Sequence, residues 1–392
     1  MNIPQAIQII SRGTTEIIHL EGLEKKFQSS MKNRKALRVK AGFDPTAPDI
    51  HLGHVVLLRK LRQFQDMGHE IYFLIGDFTA QIGDPTDRPS TGRDQKRIKI
   101  DRAQIKENAK TYKAQVFKIL DPKKTKIVFN SVWLDRLNPQ ELLELTACST
   151  VAQMLARADF KKRFEQRSEI SILEFIYPLL QGYDSIHLQA DIELGGSDQK
   201  FNLLMGRQLQ EIHGQEPQVV IMTPLLVGLD GTQKMSKSLN NYVGINEPPN
   251  EMFGKLMSIP DSLMDAYFEL LTDFNLGEIK LLHPKEAKLK LAQDIVRQFY
   301  DEKTASRARE YFEKTFSQRE TPEDVPQYKL REDSLTLKKI LVDDTKIISS
   351  SRELSRMLEQ GAIGFEGTKI DATWTPQKGV LRIGKRRFLK LN

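Results

Sequence analysis

Short apolar runs alternate with stretches of helical spacing through the first half of the chain, and that alternation admits few folds. KALRVKAGFDPT (residues 35–46) reads as a strand entering a loop broken by Pro45 and Pro48. HVVLLRKLRQFQDMGH (54–69) carries apolar residues at helical spacing and stops at Gly68. EIYFLIGDF (70–78), TKIVFNS (125–131) and PQVVIMTPLLVG (217–228) are further strand-like runs. Helical patterns fill the gaps, as over 138–147 and 197–213. Such alternation predicts an α/β fold with a Rossmann-like parallel sheet, which takes ligands at the carboxyl ends of its strands.

The pattern then changes. From about 248 to 316 it is wholly helical, and SQRETPEDVPQYKLRED (317–333) is polar with two prolines and reads as a linker. A helical stretch, SRELSRMLEQGAI, and two strand-and-turn segments, GFEGTKID and GVLRIGKRRFLKL, follow. The expected organisation has three parts. A Rossmann-like catalytic domain with an insertion spans 1–240 and includes an N-terminal helical segment over 1–34. An α-helical domain spans 241–320, and a small α+β domain spans 334–392.

Charge singles out the last part. The 392 residues carry a net charge of +7. Residues 334–392 hold 12 Lys and Arg against 6 Asp and Glu, a net +6 that leaves +1 for the rest. A basic terminal module with its own apolar content, on a near-neutral body, points to a polyanion such as RNA or DNA. The single cysteine, Cys148, excludes an intrachain disulfide and a Cys-rich zinc site, and it fits a reducing cytoplasm. No run of apolar residues is long enough to span a membrane, and the first residues show no secretory signal.

Two stretches carry chemistry. DGTQKMSKSLNN (230–241) sets Lys234 and Lys237 three apart among Gly231, Ser236 and Ser238. A solvated loop has no need of that spacing, whereas a polyphosphate presents several anionic oxygens to two ammonium groups. GFDPTAPDIHLGHVVLL (42–58) sets His51 and His54 three apart at the start of a helix, with Gly53 between them. A helix start offers free N–H groups and a positive dipole end, which suits phosphate. Gly53 removes a side chain, so a nucleotide can approach the backbone. Together the two histidines and two lysines could hold the β,γ-phosphates of ATP as pyrophosphate leaves, an electrostatic role that needs no covalent catalyst. A zinc pair of histidines lacks further ligands at a suitable spacing.

HLGH followed by KMSKS, in this order on an α/β pattern, resembles the two signatures of class I aminoacyl-tRNA synthetases. YPLLQGYD (177–184) places Tyr177, Gln181 and Asp184 on one helical face. That stretch, with GDFTAQIGDPTDR and ELGGSDQKFN, resembles the tyrosyl-tRNA synthetases of the shorter bacterial type over essentially the whole chain. The resemblance implies that Tyr177 and Gln181 bind the α-ammonium of tyrosine, assisted by Asp84. It implies that Asp184 accepts a hydrogen bond from the phenol and that Gln199 lies near the carboxylate. Gly42, Asp44, Gly53 and Asp198 fall to ATP and the adenylate, with Asp198 on the ribose. Thr46, His51 and His54 fall to the transition state, with Thr46 and His51 on the γ-phosphate. Lys234 and Lys237 fall to the pyrophosphate, with Arg88 and Ser238 nearby.

The same resemblance makes the C-terminal part an S-four-like RNA-binding domain. Its expected tRNA contacts are Arg352, Arg356, Lys385, Arg386 and Arg387. Mg²⁺ is expected with ATP, no metal is assigned to the protein itself, and a homodimer in the cytoplasm is implied. Three positions depart from the family pattern. Lys40 stands where many relatives have Tyr sharing the phenol, Glu193 where Gln is common, and Asp77 where Gly is frequent. A tryptophanyl-tRNA synthetase shares the fold and both ATP signatures, but YPLLQGYD, GGSDQ and the S-four-like tail disfavour it. A nucleotidyltransferase with His-x-Gly-His alone would not need KMSKS, and an RNA-binding descendant of a synthetase would have lost some of these four residues.

Overall fold

The computed structural model describes residues 2–85, 101–317, 325–330, 336–384 and 387–392. Its larger sheet has six strands: β1 (Glu16–Ile18), β2 (Arg38–Phe43), β3 (Glu70–Ile75), β4 (Thr125–Phe129), β5 (Ile192–Gly196) and β6 (Val219–Thr223). Their order is β1-β6-β5-β2-β3-β4. The five from β6 to β4 are parallel, and β1 closes one edge antiparallel to β6. Val39, Ala41, Ile71, Phe73, Ile192 and Ile221 have no exposed surface, as a parallel sheet covered on both faces requires.

The strand order reverses between β2 and β5. A crevice opens at such a switch point beyond the carboxyl ends of the two strands. GFDPT continues β2 into that crevice and GGSDQ ends β5 there. The helix Leu52–Asp66 follows β2, and the helices Ile172–Leu188 and Lys200–Ile212 flank β5. These last two pack closely because Gly182 and Gly206 face each other. A Cβ at Gly182 would lie 2.7 Å from Leu209 Cδ1 and 3.3 Å from the Gly206 nitrogen.

The chain divides into two compact units. One holds residues up to Pro248 together with Lys255–Phe299, and the other holds Pro249–Gly254 and the chain from Tyr300 onward. This division does not coincide with the boundaries expected at 240 and 320. The helices Met264–Leu271 and Pro284–Phe299 go with the larger sheet. Met264–Leu271 packs on Leu52–Asp66, and the buried Tyr267 donates its hydroxyl to the Val227 carbonyl at 2.8 Å.

In the second unit a five-stranded sheet has the order β7-β11-β10-β8-β9. Its strands are β7 (Gln327–Tyr328), β8 (Ile363–Phe365), β9 (Thr368–Lys369), β10 (Gly379–Ile383) and β11 (Arg387–Leu391). The helix Ser351–Glu359 buries Leu354 in a core with Ile340, Leu341, Ile363, Leu381 and Leu389. Part of the segment read as a linker is therefore strand. Gln327–Tyr328 pairs in parallel with β11, and the buried Tyr328 donates its hydroxyl to Asp344. A two-residue edge strand gives no periodicity to read, so the flanking prolines dominated the pattern.

Candidate functional site

The helix Leu52–Asp66 begins in a capping box built from the two histidines. His51 Nδ1 accepts from the Gly53 N–H at 3.2 Å, and His54 Nδ1 accepts from the His51 N–H at 3.2 Å. Burial chiefly, then the charge of neighbouring groups, lowers the His51 pKa to about 2 and the His54 pKa to about 4. Both rings are thus neutral at pH 7. With Nδ1 already an acceptor, each ring carries its proton on Nε2. The capping box turns two histidines into two fixed N–H donors at a positive helix end. The Gly53 gap is filled by the His51 ring itself, since a Cβ there would lie 2.9 Å from His51 Cε1.

The 230–241 loop meets this helix start. Leu52 N–H donates to the Val243 carbonyl at 3.0 Å, and the charges of Lys237 and Lys234 both bear on His51. The loop is stapled from within. Asp230 Oδ1 accepts from the Thr232 and Gln233 N–H groups, and Asn241 bonds Asp230 Oδ2 at 2.7 Å and the Ser236 N–H at 2.8 Å. Gly231 takes φ +79°, which its lack of a side chain permits. Met235 is buried, while Lys234 and Lys237 reach toward Asp198 at 3.5 Å and Asp49 at 3.6 Å. Both lysines thus sit on carboxylates that an entering polyphosphate can replace. Ser238 Oγ lies 2.9 Å from Ser236 Oγ.

Next to the phosphate side lies a polar cluster. Asp44 accepts from the Tyr177 hydroxyl at 3.0 Å and from Thr79 Oγ1 at 2.8 Å. The absence of a side chain at Gly76 makes room for it, because a Cβ there would meet Asp44 Oδ1 at 2.0 Å. Gly42 and Thr46 are exposed at the mouth of the crevice. Asp84 belongs to a closed ring of side chains. Gln199 Nε2 donates to Asp84 Oδ2 at 2.6 Å, Asn202 Nδ2 to Gln199 Oε1 at 2.9 Å, and Arg157 Nη1 to Asn202 Oδ1 at 3.2 Å. Arg157 Nη2 closes the ring 3.7 Å from Asp84 Oδ1. The guanidinium is buried, with its carbon 4.8 Å from the Phe160 ring centre.

Asp184 lies on the same helix as Tyr177 and Gln181, fully inside the protein. Its Oδ1 accepts from Trp133 Nε1 at 2.8 Å and its Oδ2 from Asn130 Nδ2 at 3.3 Å. Burial raises its pKa to about 7, opposed by the charge of Lys40 and by those two donors. Two of the three departures from the family pattern pair with each other. Lys40 Nζ is 3.0 Å from Glu193 Oε1, 2.8 Å from Ser185 Oγ and 3.2 Å from the Gln181 carbonyl. The third, Asp77, accepts from the Ser131 N–H at 3.0 Å and hydroxyl at 2.6 Å, at the start of the helix Ser131–Leu134.

In the second unit Arg352 and Arg356 are exposed on Ser351–Glu359, and Arg387, also exposed, donates to the Ile347 carbonyl. Arg88, Lys385 and Arg386 lie outside the described residues. The structure links Asp44, Tyr177 and Asp184 through Thr79 and Asn130, Asp84 with Gln199, Asp198 with Lys234, and His51 with His54, Lys234 and Lys237. It adds Thr79, Asn130, Trp133, Arg157 and Asn202, which sequence reasoning did not single out. Only the polarity of Asn130 at the end of an apolar strand run hinted at any of them.

The chain is also similar to known proteins. The family model described as tRNA synthetases class I (W and Y) matches residues 31–317. The tyrosine–tRNA ligase of Aquifex aeolicus is 53% identical over 100% of this chain and 99% of its own length. That of Geobacter metallireducens is 50% identical over 100% and 99%. Among solved structures, a C-terminally truncated mitochondrial tyrosyl-tRNA synthetase of Aspergillus nidulans superposes with a TM-score of 0.64 at 23% identity, covering 79% of this chain and 94% of its own. The Archaeoglobus fulgidus tyrosyl-tRNA synthetase complexed with L-tyrosine gives 0.62 at 24%, covering 79% and 100%. At those identities the structural matches speak for the fold.

Proposed function

This chain belongs to the class I tRNA synthetases of the W and Y group, and from that membership we infer that it charges tRNA with tyrosine. In the first step an oxygen of the tyrosine carboxylate attacks the α-phosphate of ATP in line. A carboxylate–phosphorus bond forms, the bond to the β-phosphate oxygen breaks, and pyrophosphate leaves. ATP enters as its magnesium complex. In the second step a hydroxyl of the terminal ribose of the tRNA attacks the adenylate carbonyl, and AMP leaves.

The observation that carries the tyrosine reading is the buried Asp184 carboxylate, held at both oxygens yet retaining lone pairs for a phenol. In this reading Asp184 accepts a hydrogen bond from the phenol, while Asp84, Tyr177 and Gln181 receive the α-ammonium and Gln199 lies beside the carboxylate. Asp44, Gly42 and Gly53 border the adenylate, and Asp198 takes the ribose. Thr46, His51 and His54 donate to the phosphates, and Lys234 and Lys237 hold the leaving pyrophosphate, with Arg88 and Ser238 nearby. Amino-acid-dependent ATP–pyrophosphate exchange, without tRNA, tests the reading. Exchange with tyrosine alone supports it. Exchange with tryptophan moves the chain to the sister specificity, and exchange with neither removes the catalytic reading.

The Arg157 ring yields a separable prediction. Arg157→Met leaves Asp84 with one orienting partner fewer, so KM for tyrosine is expected to rise about tenfold with kcat nearly unchanged. An equal fall in kcat would instead place Arg157 in transition-state binding.

A homodimer in the cytoplasm completes the proposal. Val132, Leu143, Val151, Phe164, Ile172 and Leu173 all leave large apolar side chains exposed within one stretch of the first unit, Ile172 by 79%. In this reading the second copy of the chain covers part of that stretch. Ile172→Asp is expected to yield monomers in sedimentation analysis, and an unchanged mass would remove this stretch from the interface. The basic stretch 334–392 of the second unit is the tRNA-contacting module, through Arg352, Arg356, Lys385, Arg386 and Arg387. Deleting 334–392 is expected to spare adenylation and abolish charging at ordinary tRNA concentrations, measured by acylation of radiolabelled tyrosine.

A further inference from the structure

We propose that Lys40 and Glu193 form a specificity-determining pair, buried beneath the tyrosine site, that anchors the helix around Asp184 and favours its carboxylate form as the acceptor for the phenol. The proposal rests on the tyrosine reading of the pocket and goes beyond it, because neither residue touches the substrate.

The geometry excludes Lys40 as a direct phenol donor. An ammonium group has three N–H donors. Those of Lys40 face three acceptors already in place: Glu193 Oε1, Ser185 Oγ and the Gln181 carbonyl. Lys40 and Glu193 are each only 1% exposed. Glu193 is satisfied in turn, since its Oε2 accepts from Ser185 Oγ at 2.9 Å and from Gln218 Nε2. The network occupies the space left by Gly206, where a Cβ would lie 3.0 Å from Ser185 Oγ and 3.3 Å from Glu193 Oε2. It ties β2 and β5 to the 172–188 helix at Gln181 and Ser185, which flank Asp184 in the chain.

A buried ion pair is seldom retained for stability, because desolvating two charges offsets their attraction. This one acts on a third charge. Of the ionised groups that act on Asp184, Lys40 is the strongest and attracts, while Glu193 is weaker and repels. Among the described residues, the other groups facing Asp184 are Trp133 and Asn130, both neutral donors. His187, on the same helix, stacks on Trp133 at 4.3 Å, and burial lowers its pKa, which keeps it neutral at pH 7. The net field of the pair therefore favours the Asp184 carboxylate. Where a tyrosine in relatives would supply a second phenol contact, this chain supplies charge from behind.

The test follows kcat/KM for pyrophosphate exchange with tyrosine and with phenylalanine against pH, in wild type, Glu193→Gln and the double variant Lys40→Met with Glu193→Gln. The acid limb for tyrosine reports the free-enzyme pKa of Asp184. In Glu193→Gln that limb should move to lower pH, because a repelling charge is gone. In the double variant it should move to higher pH by about one unit, and the tyrosine-over-phenylalanine ratio at pH 7 should fall about tenfold. A merely structural pair would lower both amino acids alike and leave the limb in place, which would overturn the proposal. Should the double variant fail to fold in thermal melts, an unmoved limb in Glu193→Gln overturns it alone. Wild type that ignores tyrosine would instead refute the pocket reading, so the two failures are distinct.

Discussion

Lys237→Ala is expected to lower the rate of tyrosyl-adenylate formation by about 10²–10³ while leaving the tyrosine dissociation constant nearly unchanged. The asymmetry follows from where the ammonium acts. Charge accumulates on the β,γ-phosphates only as the bond to the α-phosphate breaks, so the interaction strengthens toward the transition state. Lys237 is placed for it. Its Nζ lies 3.6 Å from Asp49, beyond a good hydrogen bond, and burial lowers its pKa more than Asp49 raises it. A half-desolvated ammonium with an imperfect partner gains more from a polyphosphate than a fully hydrated one. The neighbouring donors are already fixed, since the capping box holds His51 and His54 as neutral rings with the proton on Nε2. Single-turnover adenylation with saturating tyrosine, beside equilibrium tyrosine binding, measures both terms. Equal losses in the two would show that Lys237 supports the pocket and not the transition state.

The residues proposed to meet a charged ligand were legible in the sequence because a polyphosphate imposes a pattern. Two lysines in a glycine–serine loop and two histidines at a helix start form such a pattern, and the structure brings them together, since the charges of Lys234 and Lys237 both act on His51. The residues that hold those residues were not legible. Arg157 acts on Asp84 through Asn202 and Gln199, a chain assembled from three distant segments, and no local spacing reports it. Asn130 and Trp133 read as the end of a strand and an apolar helix residue until Asp184 is seen between them. The fold shows the same division. Four of the five parallel strands announce themselves as apolar runs, whereas the buried β5, with Glu193 inside it and two glycines at its end, was not read as a strand, and β1 and β7, three and two residues long, exist only through pairing with β6 and β11. Lys40 is instructive in another way. As a sequence departure it suggested a lost phenol contact, and only its partner Glu193, itself a departure, gives it a purpose.

Asp184→Ala is expected to abolish the preference for tyrosine over phenylalanine and to cut kcat/KM for tyrosine by at least about 10³. Tyrosyl-tRNA synthetases are the reference case for this kind of discrimination, with an established ratio of about 10⁵. The cause is the cost of the wrong substrate. Phenylalanine would close the pocket over a desolvated carboxylate and offer it no proton, leaving a buried polar group unpaired. Here Trp133 Nε1 and Asn130 Nδ2 each occupy one Asp184 oxygen, so the phenol completes a set of three donors around one acceptor group. Alanine removes the acceptor and leaves both protein donors facing an apolar ring, which penalises tyrosine and phenylalanine alike. The substitution Asp184→Asn fares little better, because its amide nitrogen would face either Trp133 or Asn130 donor to donor. It is therefore expected to lose the preference as well, although it conserves side-chain volume, which separates hydrogen bonding from packing. Pyrophosphate exchange with the two amino acids in parallel reads the ratio directly. A retained preference in either variant would mean that the phenol is recognised elsewhere in the crevice.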